Sequence, residues 1–298
     1  MRAFYLIAFF AAFDFLRQAY EIIKLGREPE TLWPVFWVDW VGLDASGRIV
    51  GLFLMIACFA ALWRHGSVWP RVLVFIGLLQ FAALDNSFGS VNHGSHYLIW
   101  ISFFLIFMPR GAAPGPGASP TRHQSFVFGI FFAQCFIGLF YSLSGLYKFV
   151  AGFHVRPGQV SSFDPTALLL LIQGRWYKTG EAPMLAEIVA NNAYIAWPAY
   201  LLVIYFELFF LLAVFRPQLH RLFGFALAVF HIGVWLTMSI SFNYQPVLVA
   251  LLFIWSPLAH FDRATARQRL AQLPLIDIVY CLARLFAKSG KVADRKLR

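Results

Sequence analysis

Long apolar blocks, separated by short polar stretches that hold most of the charge, run through the chain from Ala3 to Pro257. They are Ala3–Tyr20, Ile49–Trp63, Val72–Leu84, His96–Met108, Ser125–Val150, Ala193–Phe215, Leu222–Ile240 and Gln245–Pro257. Blocks of this hydropathy, approaching the roughly 20 residues that cross a bilayer, predict about eight transmembrane helices. The expected fold class is therefore all-α: a polytopic integral membrane helical bundle. The stretch Gly111–Thr121 (GAAPGPGASPT) is a Pro/Gly-rich connection between the fourth and fifth blocks, and it divides the chain into two halves of one bundle. Residues 1–258 form the expected transmembrane domain. Residues 259–298 form a basic amphipathic cytoplasmic tail.

Composition strengthens this picture. With 60% hydrophobic, 18% aromatic and 13% charged residues, and a mean hydropathy of +0.68, the chain lies outside the range of soluble globular domains. The first block follows Arg2, contains Asp14 and Arg17 and lacks a small-residue cleavage site, so it is expected to be retained as a span. Cys58, Cys135 and Cys281 have no redox or metal-ligand spacing, and no metal site is expected.

Charge orients the blocks. With the N-terminus inside, Arg64, Arg71, Arg110, Arg122, Arg216 and Arg221 fall in inside loops that carry no acid. Glu28, Glu30, Asp39, Asp44, Asp85, Asp164, Glu181 and Glu187 then fall outside. The positive-inside rule thus predicts two cytoplasmic termini and, for a bacterial chain, residence in the inner (plasma) membrane. The net charge of +10 belongs mainly to the inner face and tail, which favours anionic membrane lipids as partners rather than nucleic acid. Residues 262–288 alternate apolar and basic side chains and predict an amphipathic segment on the inner surface.

Polar residues inside the apolar blocks are the candidate chemistry. Lys148 stands near the outer end of the fifth block, where an inward-facing cation needs a partner or a task; the alternative is snorkelling, in which its four-carbon stem carries the ammonium to water. The block from Asp85 to Tyr97 lies between two spans of only about 13 residues, so it is expected to dip into the membrane and line an enclosed polar pocket. That places His93 at the depth of Lys148. Glu207 and His231 stand near mid-span and are expected to pair with each other, as are Asp14 and Arg17. His93 and His96, three apart without a third ligand, make a weak metal signal.

The order Leu84-Asp85, Asn92-His93, Tyr97-Leu98 and Phe107-Met108 resembles the corresponding stretch of vitamin K-dependent gamma-glutamyl carboxylase. So do Tyr141-Ser142-Leu143-Ser144-Gly145-Leu146-Tyr147-Lys148-Phe149 and the stretch from Glu207 through Phe230-His231 to Trp255-Ser256-Pro257. Together they look like the horizontally transferred transmembrane (HTTM) domain, over about Ala3 to Pro257. The resemblance implies that Lys148 is a base acting on a hydroquinone and that His93 assists it. Tyr147 stands where the animal enzyme has the first of two adjacent lysines. A desolvated lysine gives up its proton more readily than one in water, which makes a neutral amine available as a base.

The chain departs from the carboxylase after Pro257, where about 40 residues of net basic charge stand in place of a large substrate-binding region, so glutamate carboxylation is not expected. The expected function is an integral membrane enzyme acting on a lipophilic isoprenoid or quinone-like substrate, by proton transfer or terpene cyclase-like chemistry in an outer-leaflet pocket. Lys148 and His93 are the expected catalytic residues. Asp85, Asn92, Tyr97, Tyr141, Tyr147, Arg156, Glu207 and His231 are the expected substrate-binding residues. The cofactor implied is a reduced quinone, or Mg2+ if the substrate is a diphosphate. The alternative is an accessory role in maturing or exporting a partner membrane or secreted protein.

Overall fold

The computed structural model describes residues 1–24, 35–88, 96–110, 117–155, 158–180, 183–240, 242, 244–259 and 271–278. Every regular element among them is helical. In chain order these are α1 (Arg2–Lys24), α2 (Val38–Val41), α3 (Leu43–Trp63), α4 (Val68–Asp85), α5 (His96–Ile106), α6 (Pro120–Phe153) and α7 (Ala167–Thr179). They continue with α8 (Ala186–Asn191), α9 (Ala193–Leu208), α10 (Phe210–Val214), α11 (His220–Met238) and α12 (Gln245–Val249), which runs on as a π-helical turn, Ala250–Ile254.

Four helices are long and apolar enough to cross a membrane: Leu43–Trp63, Val68–Asp85, Pro120–Phe153 and Pro217–Met238. Four is fewer than the eight expected, for two physical reasons. The blocks beginning at His96, Ala193 and Gln245 yield the shorter apolar helices His96–Ile106, Ala193–Leu208 and Gln245–Ile254. At about 1.5 Å per residue these fall short of a hydrocarbon core of about 30 Å. The block at Ala3 does give a long helix, α1, of 23 residues, but Asp14 and Arg17 interrupt its apolar run.

The chain divides into two compact units, Met1–Phe136 and Ile137–Arg298, with the division inside α6. In the first unit α3 packs against α1 and α4, and α4 against α5. The inward stripe of α3 is Ser46, Gly47, Val50, Gly51, Leu54, Ala57, Cys58 and Ala61, small residues at helical spacing. Ile49, Leu52, Ile56, Phe59 and Trp63 on its other side are exposed. Small residues let helices approach closely where hydrophobic burial from water is not the driving force. Gly77 on α4 shows this, since a β-carbon there would lie 2.9 Å from Leu54 Cδ1.

Arg71 is fully buried in the first turn of α4, not a solvated loop charge as its place among the inside loops suggests. Its Nε donates to the His65 carbonyl at 3.0 Å, Nη1 to Leu105 and Met108 at 3.2 and 2.6 Å, and Nη2 to His65 and Pro109 at 2.7 and 3.1 Å. All five guanidinium N–H groups are thus used on carbonyls. Several of those carbonyls lie at or just beyond the C-terminus of α5, where backbone acceptors lack intrahelical partners and the helix dipole is negative. Arg2 Nε meets His65 Nδ1 at 3.4 Å, and Arg122 donates to the Arg110 carbonyl at 2.9 Å. The chain start and the α3–α4 turn thus meet at one end of this unit.

In the second unit α11 is central and packs against α7, α8, α9, α10 and α12. The inward stripe of α9 is Ala196, Tyr200, Ile204 and Glu207, and that of α11 is His220, Phe223, Gly224, Leu227 and His231. Each stripe follows helical spacing yet carries ionisable residues at core positions. His220 Nε2 meets the Val214 carbonyl at 2.8 Å and so caps α10. Residues 271–278, within the expected surface segment, dock on this unit: Arg216 pairs with Asp277 at 2.6 Å, and the Tyr205 hydroxyl donates to the Pro274 carbonyl at 2.7 Å. Leu273 is buried, while Leu275, Ile276 and Ile278 stay exposed.

Candidate functional site

The helical run that begins at Ala193 breaks at Phe209, between α9 and α10, and a residue of α6 fills the break. In a continuous helix the Leu211 N–H would donate to the Glu207 carbonyl. Here the Leu211 N–H donates to Ser142 Oγ at 2.9 Å, and Ser142 Oγ donates to the Glu207 carbonyl at 3.2 Å. A hydroxyl inserted into the hydrogen-bond ladder is a recognised cause of a helix break. One turn further along α6, Gly145 passes against the same break. A β-carbon at Gly145 would lie 2.7 Å from Leu208 Cα and 2.8 Å from the Glu207 carbonyl carbon. Only glycine allows α6 and α9 to meet there.

This approach delivers Lys148. Tyr141, Gly145 and Lys148 stand at i, i+4 and i+7, on one face of α6. Lys148 Nζ forms an ion pair and hydrogen bond with Glu207 Oε2. The Ser144 hydroxyl lies beside the same carboxylate. Glu207 is 2% exposed, whereas 25% of the Lys148 side chain stays open, so one partner is sealed and the other can be reached. Lys148 Nζ also lies 5.5 Å from the centroid of the Phe230 ring, within cation–π range.

A second polar pair lies beside the first. The Tyr141 hydroxyl meets His231 Nε2 in a hydrogen bond. The imidazole is enclosed by aromatic rings, with centroids 4.7 Å away at Phe242, 5.1 Å at Phe230 and 5.7 Å at Tyr141. Lys148 is close enough to His231 to act on it electrostatically. His231 Nδ1 is buried and has no hydrogen-bond partner among the described residues. A lysine, a carboxylate, a phenol and an imidazole thus gather within one apolar unit.

No protein-family model, curated protein or solved structure matches the chain.

Of the ten expected site residues, Lys148, Glu207, Tyr141 and His231 come together. The pairing differs from that expected: Glu207 takes Lys148 as its partner, and His231 takes Tyr141. The reason is the Ser142–Gly145 approach, which brings α6 against the α9–α10 break and inserts Lys148 before the imidazole can reach the carboxylate. Tyr147, adjacent to Lys148, is 77% exposed and points away from the cluster. Asp85, at the end of α4, and the buried Tyr97, on α5, belong to the first unit. His93, Asn92 and Arg156 lie outside the described residues. Among the described residues, no group of three or more His, Cys, Asp and Glu side chains could hold a metal ion. Phe242 joins the site without any sequence signal. Ser142 and Gly145 do carry one, as hydroxyl and small residues three apart on α6, just before Lys148.

Proposed function

We propose that this chain is an integral membrane enzyme that takes a proton from a lipophilic, quinone-like or isoprenoid substrate, with Lys148 as the base. The observation that carries this reading is the asymmetric burial of the Lys148–Glu207 pair. A base must meet its substrate, and the sealed carboxylate beside a reachable ammonium leaves only the lysine side of the pair open to one. In a low-dielectric setting a lysine–carboxylate pair can exist as ammonium with carboxylate, or as amine with carboxylic acid. In the second form the amine lone pair takes the substrate proton, the electron pair stays on the substrate, and Glu207 holds the proton that the ammonium gave up. The aromatic rings at Phe230, Phe242 and Tyr141 offer a flat apolar lining to such a head group.

His93 is proposed as an assisting residue on the resemblance to the carboxylase alone. Among the described residues no group of three or more His, Cys, Asp and Glu side chains is placed to hold Mg2+. The proposed setting is a bundle of about eight spans in a bacterial inner membrane with both termini cytoplasmic. In that count α1, α5, the joined α9–α10 run and α12 with its π-helical turn are added to the four long apolar helices. The meeting of Arg2 with the α3–α4 turn supports one shared side for those two ends.

The experiment is turnover by the full chain in lipid vesicles, with a reduced naphthoquinone as the probe and formation of the oxidised quinone in air as the readout. The expected result is acceleration over protein-free vesicles that disappears in Lys148→Ala. Equal rates for wild type and Lys148→Ala, both well folded, would refute Lys148 as the base.

A further inference from the structure

We propose that residues 272–278 form a shallow re-entrant loop, seated in the lipid on the Arg216 side of the second unit, with Leu275, Ile276 and Ile278 against acyl chains. The amphipathic segment expected over residues 262–288 would lie flat on the membrane surface, whereas this stretch turns into it. The proposal does not depend on Lys148 being a base.

The first support is how the loop is held. One guanidinium clamps both of its ends: Arg216 Nη1 donates to the Gln272 carbonyl at 2.5 Å, and Nη2 donates to Asp277 Oδ2 at 2.6 Å. The Tyr205 hydroxyl donates to the carbonyl at the tip, that of Pro274, at 2.7 Å. Tyr205 precedes Arg216 in a run whose one charge before Arg216 is Glu207. The tip is therefore drawn from the charged end of that run toward its apolar middle. Two residues carry the chain from Gln272 to Pro274, so the dip is at most about 7 Å. That depth reaches the boundary between headgroups and acyl chains, where amphipathic segments seat.

The second support is the backbone of the turn. Polar backbone in lipid is tolerated only where protein satisfies it. Pro274 has no N–H to satisfy, and its carbonyl is taken by Tyr205. The Leu273 carbonyl accepts the Asp277 N–H at 3.0 Å, and the Ile278 N–H donates to Asp277 Oδ1 at 2.9 Å. Leu273 is buried in the unit, which leaves Leu275, Ile276 and Ile278 as the outward apolar side chains.

Leu275 supplies the third support. Its φ of 72° lies in the left-handed region, where a Cβ crowds its own backbone and glycine is the usual choice. In water this leucine would be strained and would also leave 51% of its surface exposed. Against acyl chains the same side chain is solvated by its own kind and anchors the loop. Through Tyr205, the anchored tip braces the last turn of α9, which carries Glu207 two residues on.

The test is spin-label accessibility in the full chain in lipid vesicles. Single labels are placed by Leu275→Cys, Ile276→Cys and, as an aqueous reference, Gly117→Cys, with Cys135 and Cys281 replaced by alanine and buried Cys58 retained. Collisions with lipid-soluble oxygen should exceed those with a water-soluble nickel chelate at 275 and 276, and the order should reverse at 117. Tyr205→Phe releases the tip and should shift the 275 label toward the nickel chelate; if that variant does not fold, Asp277→Asn, which weakens the Arg216 clamp, should do the same. A 275 label as open to nickel as the one at 117 would place the loop in water and overturn the inference. A label reached by neither reagent would mean that protein covers it, with the same consequence. An unchanged ratio in the releasing variant would refute the hold on the loop.

Discussion

Gly145→Ala tests the geometry on which the site depends. A β-carbon at Gly145 would meet backbone atoms, Leu208 Cα at 2.7 Å and the Glu207 carbonyl carbon at 2.8 Å, and backbone cannot rotate aside as a flexible side chain can. Overpacking of this kind costs about 1–3 kcal/mol, and the upper half of that range applies where the obstacle is main chain. Against it stands the gain of about 1 kcal/mol that alanine brings to a helix interior. The net expectation is a loss of about 1–2 kcal/mol, because α6 must move off the α9–α10 break and loosen the Lys148–Glu207 contact. Gly174→Ala on α7 is the internal control, since a β-carbon there meets nothing within 4 Å and only the helix gain of about 1 kcal/mol applies. The assay is thermal unfolding of purified protein in detergent, followed by size-exclusion recovery. The two variants should shift the transition in opposite directions. A Gly145→Ala protein as stable as Gly174→Ala would refute the close approach of α6 to the break.

Arg71→Met should sharply reduce folded yield, because it orphans the carbonyls of His65, Leu105, Met108 and Pro109 at about 1–3 kcal/mol for each left unsatisfied; Arg71→Lys, with three donors, should fall between it and wild type in the same recovery assay. The Thr166 hydroxyl and amide, both bonded to Asp164 Oδ1, hold the Asp164 carboxyl below its ordinary value. Its folded value is depressed, so the contribution of this turn is present above about pH 4 and is lost as pH falls through the lowered value. The protection factor of the Thr166 amide, its exchange rate normalised to the intrinsic rate at each pH, should fall over that acid window and stay constant there in Asp164→Asn. Ser142→Ala should leave the Leu211 N–H and the Glu207 carbonyl to find each other, straightening the α9–α10 run, and a cysteine cross-link from α6 to position 208 should then form less readily than in wild type.

The all-helical class was legible in the block pattern, because long apolar runs have few ways to satisfy their backbone. The span count was less so. Hydropathy alone counts Ala193–Phe215 as one block and does not reveal that Ser142 opens it at Phe209. At the site, Lys148 and Glu207 each stood out as a charge in an apolar block, and their burial follows the stripes. Which partner each would take did not, since pairing depends on a close approach that one serine and one glycine permit. Arg71 shows the same limit: a single arginine beside a turn reads as a loop charge, and three of its four carbonyl acceptors come from residues more than thirty positions away in sequence.

The central claim is that Lys148 acts as a base rather than as a fixed charge, and Lys148→Arg addresses it most directly. Arginine keeps the positive charge and can pair with Glu207, yet it does not lose its proton in a protein. Measured as quinone formation per folded molecule in vesicles supplied with reduced naphthoquinone, Lys148→Arg should recover from detergent like wild type and turn over no faster than Lys148→Ala. Turnover in Lys148→Arg close to that of wild type would contradict the account, because a permanent cation would then suffice.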